Sequence, residues 1–230
     1  MQTMSIHIHP IPMGMGIAYL IESAAGLLLV DAGLPHWEQA VLRRIHALGR
    51  KPGALQLIYI THAHLDHYGS AAALRRASGA PVVIHRADAD AIARGRTPLG
   101  SIRGRGWLLA ALLPLAERVL RPEPTLPDIL CDDGDALDLD LPFAATVLHT
   151  SGHTPGSSCL IVEGEGDQDR IAFAGDLVSN TTHPHGQRYF AHDWAILHHN
   201  LARLQALHPQ WVYPGHGRAP LDDATLQRLA

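Results

Sequence analysis

The chain has 230 residues, 47% of them hydrophobic and 17% charged, with a formal net charge of −4. That length can bury one large core, and the acidic balance argues against a nucleic-acid surface. No apolar run approaches the roughly 18 residues of a membrane span, and "MQTMSIHIHPIPMG" lacks the basic-then-apolar order of a secretory leader.

The first strands expected are "GIAYLIES" and "GLLLVDAG", joined by a turn of small residues at Ala24 to Gly26. A helix follows from about His36 to Leu48, with Val41, Leu42, Ile45 and Leu48 at helical spacing. "LQLIYI" reads as a buried strand, "SAAALRRAS" as a helix and "PVVIH" as another strand. From Asp88 to Leu126 the chain is rich in Arg and Leu, and "WLLAALLPLAERVL" reads as an apolar helix. Strands return with "ALDLDL", "FAATVLHT", "SSCLIVE" and "RIAFAGDL"; a helix over about Asp193 to Leu207 and a last strand, "QWVYPGHG", complete the pattern. "GLLLVDAG" and "RIAFAGDL" echo one another as apolar strands ending near an aspartate, and the strand–strand–helix order recurs around them. Two packed sheets with helices outside are expected. No linker rich in Gly, Ser or Pro divides the chain. Residues 1–230 are therefore expected to form one domain, with a helical insertion at about 88–126.

Cys131 and Cys159 match no metal or redox spacing. They read as buried free thiols in a reducing compartment, so a cytoplasmic protein is expected.

The chemistry concentrates in "THAHLDHYGS", where His62, His64, Asp66 and His67 follow the strand ending at Ile60. His62 and His64 are two apart and face the same way in extended chain. Asp66 and His67 can turn toward a neighbouring point. Imidazole nitrogen and carboxylate oxygen suit zinc and other first-row ions. Three further strand ends carry residues of the same kind: His153 in "SGHTPGS", Asp176 in "FAGDL" and His216 in "YPGHG". Each lies beside glycines that permit a tight turn.

The ordered set "LLVDAG", "THAHLDH", "SGHTPGS", "AGD" and "PGHG" resembles the metallo-β-lactamase superfamily, over Asp31 to His216. The resemblance implies an α+β fold. It is a four-layer αβ/βα sandwich, two mixed β-sheets packed face to face with helices on the outside and the site at one edge. It also implies two Zn²⁺ per chain, with Fe or Mn as alternatives. His62, His64 and His153 would hold the first metal, and Asp66, His67 and His216 the second. Asp176 would bridge the two, and Asp31 would orient ligands by hydrogen bonds.

Two such cations, roughly 3.5–4 Å apart, share a water and lower its pKa toward about 7. The implied activity is that of a dinuclear zinc-dependent hydrolase using a metal-bound hydroxide to cleave a small ester, lactone or thioester. Asp66 and Asp176 are then candidates to hold or shuttle the water proton. Tyr68 is a candidate oxyanion donor or pocket wall. Ser179, Asn180, His183, His185 and Tyr189 are candidates to face the substrate. Trp107 and its leucines would form an apolar wall, and Arg94, Arg96, Arg103 or Arg105 would meet an anionic group.

Departures from relatives narrow the choice. Ala63 stands where enzymes like glyoxalase II carry a histidine. Asp176 is a carboxylate where β-lactamases of the superfamily generally have none. Ser179 stands where homoserine-lactone lactonases have a tyrosine. A mononuclear iron persulfide dioxygenase using the His62, His64, His153 and Asp176 subset, and a β-lactamase-like amide hydrolase, are the alternatives. The expected partner is a small molecule, with neither nucleic acid nor membrane; a homodimer is compatible.

Overall fold

The computed structural model describes residues 6–137, 143–164, 170–217 and 219–229. The first half runs β1 (His7–Met13), β2 (Gly16–Glu22), β3 (Leu27–Val30), α1 (Glu38–Ala47), β4 (Leu55–Ile60), α2 (Leu65–Tyr68), α3 (Ala71–Ser78) and β5 (Val82–His85). Then come α4 (Ala89–Ala93), β6 (Ser101–Ile102), α5 (Gly106–Leu120) and β7 (Ile129–Cys131). The second half contains β8 (Ala144–His149), β9 (Ser158–Glu163), β10 (Ile171–Asn180), β11 (His185–Gly186), β12 (Phe190–Ala191), α6 (Trp194–Gln205), β13 (Trp211–Gly217), β14 (Leu221–Asp222) and α7 (Asp223–Leu226).

Two mixed sheets result. One has the order β1-β2-β3-β4-β5-β7, and the other β14-β13-β10-β9-β8 with β11 on the side of β10. The strands β3, β4, β5 and β7 run parallel, as do β10 and β13. Their carboxyl ends therefore meet at one edge, the usual place for a ligand in such sheets.

Alternation along the strands builds the layers. In β3, Leu27 and Leu29 face the helices α1 and α3, while Leu28 and Val30 face the other sheet. In β9, Leu160 and Val162 meet that same inter-sheet core, while Cys159 and Ile161 meet α6. A strand buried on both faces is apolar along its length, which is why "LLLV" and "CLIV" show no polar alternation. The architecture is the expected four-layer αβ/βα sandwich. Cys131 and Cys159 are free and buried, and burial pushes both thiols up to about 12.

The strand β1 was not expected from the sequence. Pro10 and Pro12 interrupt its pattern, yet it is an edge strand paired only with β2 in this sheet. Proline, which cannot donate to a ladder, is tolerated there. The expected strand "ALDLDL" lies largely outside the described residues. The helix in "WLLAALLPLAERVL" is present as α5, but Gly106 is its only buried residue among those described.

Candidate metal centre

The chain leaves β4 at Ile60 in extended conformation, and His64 precedes the short helix α2. That single turn places Asp66 and His67 in a second group beside the first, with the His67 ring centroid 4.1 Å from that of His62. His153 comes from the turn between β8 and β9, Asp176 lies within β10, and His216 lies near the end of β13. The side chains fall into two groups able to hold an ion. One is His62, His64, His153 and Asp176; the other is Asp66, His67 and His216. Within each, the ligand-type atoms all lie within 4.8 Å of one another.

Asp176 reaches both groups. Its Oδ2 is 3.4 Å from His153 Nε2, while its Oδ1 is 3.3 Å from His67 Nε2 and 3.2 Å from His216 Nε2. Asp66 Oδ2 is 3.4 Å from His216 Nε2. Gly215 makes this approach possible: a Cβ there would meet His67 Cε1 at 2.7 Å and Asp176 Oδ1 at 2.8 Å.

Each imidazole has its outer nitrogen tied to the protein. His64 Nε2–H donates to the Pro98 carbonyl (2.8 Å), His153 Nδ1–H to Phe190 O (2.8 Å) and His216 Nδ1–H to Met15 O (3.0 Å). His67 Nδ1–H donates to Asp31 Oδ2 at 2.8 Å. These oxygens only accept, so the outer nitrogens carry the protons and the inner ones carry lone pairs. Acceptor then faces acceptor: His64 Nδ1 and His153 Nε2 are 3.0 Å apart, and His67 Nε2 and His216 Nε2 are 3.5 Å apart. His62 Nε2 is buried without a partner. Buried lone pairs aimed at one another are relieved by a shared proton or by a cation, and this donor set fits a divalent metal ion.

The two groups differ in how they accept a proton. Burial, then the neighbouring imidazoles, pushes His62 well below the usual histidine range. Burial and His64 push His153 down to about 3. Burial also lowers His64, against the opposing pull of Asp66. In the second group burial again opposes charge but loses. Asp31, Asp176 and Asp66 raise His67, and Asp176 and Asp66 raise His216 to about 9. Burial would raise Asp176, yet His216 and His67 hold it well below the carboxylate range. A proton can thus occupy the second group at neutral pH but not the first.

Two buried carboxylates hold the loops. Asp31 has φ +60°, an uncommon conformation that Asp tolerates better than most residues. It accepts from the Thr61 amide (2.8 Å) as well as from His67. Asp88 accepts from Ala63 N (2.8 Å), Thr154 Oγ1 (2.6 Å) and Gly156 N (2.7 Å). It thereby ties the loop of His62 and His64 to the loop of His153. A Cβ on Gly156 would meet Asp88 N at 2.7 Å, so glycine is required there. Asp88 was missed in the sequence because it is a lone carboxylate outside any ligand spacing. Tyr19 adds a third tie, donating its hydroxyl to Pro214 O at 2.6 Å beside His216.

A cavity of about 440 Å³ opens onto the centre, lined by His64, Asp66, Asp176 and His216 at its floor. Leu109, Leu112, Leu113, Ala116 and Leu120 of α5 roof it, and Ser179, His185 and Tyr189 stand in its wall. Other expected contacts are not there. Tyr68 is fully buried in the core between the first sheet and its helices, and is not a lining residue. Burial raises its pKa, and the structure places its ring in core packing, off the cavity wall. Trp107 and His183 are exposed and also off the cavity wall, because α5 and the segment before β11 present other residues inward. None of Arg94, Arg96, Arg103 and Arg105 lines it. Arg94 pairs with Asp90, and Arg103 stacks on Trp194. Asn180 donates to Ala219 O instead.

A four-layer sandwich with clustered histidines and aspartates at one sheet edge defines a metal-binding class of enzyme fold. The chain belongs to the metallo-β-lactamase superfamily of hydrolases, whose family model matches residues 12–216. Among its relatives, the human acyl-coenzyme A thioesterase MBLAC2 is 33% identical over 138 residues, spanning 53% of this chain and 41% of that protein. The chain thus matches less than half the length of this relative. An uncharacterised Mycobacterium leprae protein, ML0493, is 29% identical over 87% of this chain and 86% of its own length. Among solved structures, a metallo-β-lactamase of Cronobacter sakazakii with a HARLDQ motif superposes with a TM-score of 0.70 at 25% identity, covering 90% of this chain and 74% of that one.

Proposed function

We propose that this chain is a dinuclear zinc hydrolase of small esters, lactones or thioesters that carry an apolar acyl part. The observation that carries the reading is Asp176, whose two carboxylate oxygens face the two donor groups separately. His62, His64 and His153 are assigned to one ion, Asp66, His67 and His216 to the other, and Asp176 to both. Bound there, the ion pair supplies Lewis acidity and a water of lowered pKa.

The rest is done by the chain itself. Asp66 and Asp176 are the carboxylates placed to take up and return a proton. Asp31 and Asp88 keep the donor loops in register. The leucine roof of α5 excludes water and holds an acyl chain over the floor of the cavity. Ser179 and Tyr189 are assigned to polar parts of the substrate. In this reading residues 1–230 act as one domain, with 88–126 as an insertion over the site. The thioesterase named among the relatives supports an acyl thioester in particular. The complete second group speaks against a mononuclear iron oxygenase, which would leave Asp66, His67 and His216 without a task.

The test is a substrate panel on zinc-loaded protein: acyl thioesters, lactones, alkyl esters and β-lactams. Turnover of the first three classes with little on β-lactams is expected. Preference for β-lactams, or oxygen uptake on a persulfide by an iron-loaded form, would overturn the assignment.

A further inference from the structure

The helix that roofs the cavity has a second apolar stripe turned away from it. Trp107, Leu108, Leu115 and Val119 are 65%, 70%, 60% and 68% exposed, and none of them lines the cavity. Leu108, Leu115 and Val119 recur at helical spacing, with Leu112 on the border between the two stripes. A helix of 15 residues with only Gly106 buried among those described leaves a contiguous apolar face uncovered. Faces of this kind mark interaction sites.

Charge says what covers it. Arg103 and Arg105 precede α5, Arg118 lies in its last turn and Arg121 follows it. No acidic residue lies in the first turn, where the helix dipole favours an anion. Arg105, Arg118 and Arg121 have no side-chain ion pair among the described residues. A second copy of the chain is a poor cover. Packed parallel or antiparallel, two α5 helices bring arginines against arginines at each end, with Glu117 the one carboxylate within the helix to offset them. An anionic lipid surface accepts both features: the headgroups pair with the arginines and the acyl boundary takes up the apolar stripe. At 1.5 Å per residue α5 is about 22 Å long, too short for the roughly 30 Å hydrocarbon core. No helix among the described residues is long and apolar enough to cross a membrane.

We propose that α5 is an interfacial helix that docks the chain on an anionic lipid surface. Its outer stripe enters the headgroup–acyl boundary while its inner stripe continues to roof the cavity. The docked helix lies flat on the membrane, and the cavity opens beside the lipid.

The test is co-sedimentation of the full, zinc-loaded chain with phosphatidylcholine vesicles, with and without phosphatidylglycerol. Binding to the anionic vesicles is expected to be about tenfold tighter or more, and to weaken with salt. The variant Leu108→Gln/Leu115→Gln/Val119→Gln should lose about tenfold or more while keeping its circular dichroism and zinc content. Should that variant fail to fold, Arg118→Gln/Arg121→Gln tests the same claim, by losing the preference for anionic over neutral vesicles. Absence of sedimentation, or equal binding to both vesicle types, would overturn the proposal. So would a wild-type dimer in light scattering that the leucine variant dissociates, since a second copy would then own the stripe.

Discussion

Replacing Asp88 by alanine removes a buried carboxylate that accepts from three donors on two loops: Ala63 N, Thr154 Oγ1 and Gly156 N. Asp88 is 1% exposed, so water does not readily take its place. Each stranded donor costs about 1–3 kcal/mol. Thr154 recovers part of this, since its hydroxyl also lies 2.7 Å from Ser157 Oγ. The two amides have no such recourse in the structure. A net loss of about 3–5 kcal/mol follows, a large share of the roughly 5–15 kcal/mol that holds a domain together. The freed loops carry His62, His64 and His153, so zinc affinity should fall by about 10–100-fold as well. The assays are urea unfolding of the metal-free protein and zinc titration against a competing chelator. Asp88→Asn keeps the volume but turns an amide N–H₂ toward at least one donor, and should recover only part of the loss. A stability change below about 1 kcal/mol with unaltered zinc affinity would refute the argument, because it would mean the stranded donors find other partners at no cost.

Other expectations follow from the same geometry. His64→Ala removes an inward lone pair and should lower bound metal and abolish hydrolysis; unchanged content and rate would sink the ligand assignment. In the metal-free chain, His216 has its pKa raised to about 9, so its stabilising contribution is full below 6.5 and lost as pH rises through 9. His153, held down to about 3, works oppositely: stability is lost as pH falls below 6.5 toward 3. Denaturation of the metal-free protein across this range should therefore give a maximum near neutral pH; a steady rise with pH would contradict the His216 assignment and a steady fall the His153 assignment. For the substrate, each added methylene should contribute about 0.8 kcal/mol, or about fourfold in kcat/KM, until the cavity is full. Acyl chain length against kcat/KM measures this, and a flat series would remove the leucine roof from substrate binding.

Much of this arrangement was legible in the sequence, for a physical reason. Strands buried on both faces are largely apolar along their length, so "LLLV" and "LQLIYI" announce themselves. Ligand-type residues immediately after such strands stand out against them. Other features leave no such mark. The strand β1 is hidden by Pro10 and Pro12, which only its edge position allows. Asp88 acts through backbone amides, and amides carry no residue identity to search for. Tyr68 sits within the histidine motif, but α2 turns its ring into the core while His67 faces Asp31. Composition revealed that α5 is apolar. Which stripe faces the cavity, and that the other faces out, depends on where the helix docks.

The central claim is that Asp176 joins two ion sites. Elemental analysis of zinc-loaded protein, compared with Asp176→Asn, tests it most directly. Two zinc ions per chain are expected in the wild type and fewer than two in the variant, whose amide cannot offer two anionic oxygens. One ion per chain in the wild type, or two retained in Asp176→Asn, would contradict it.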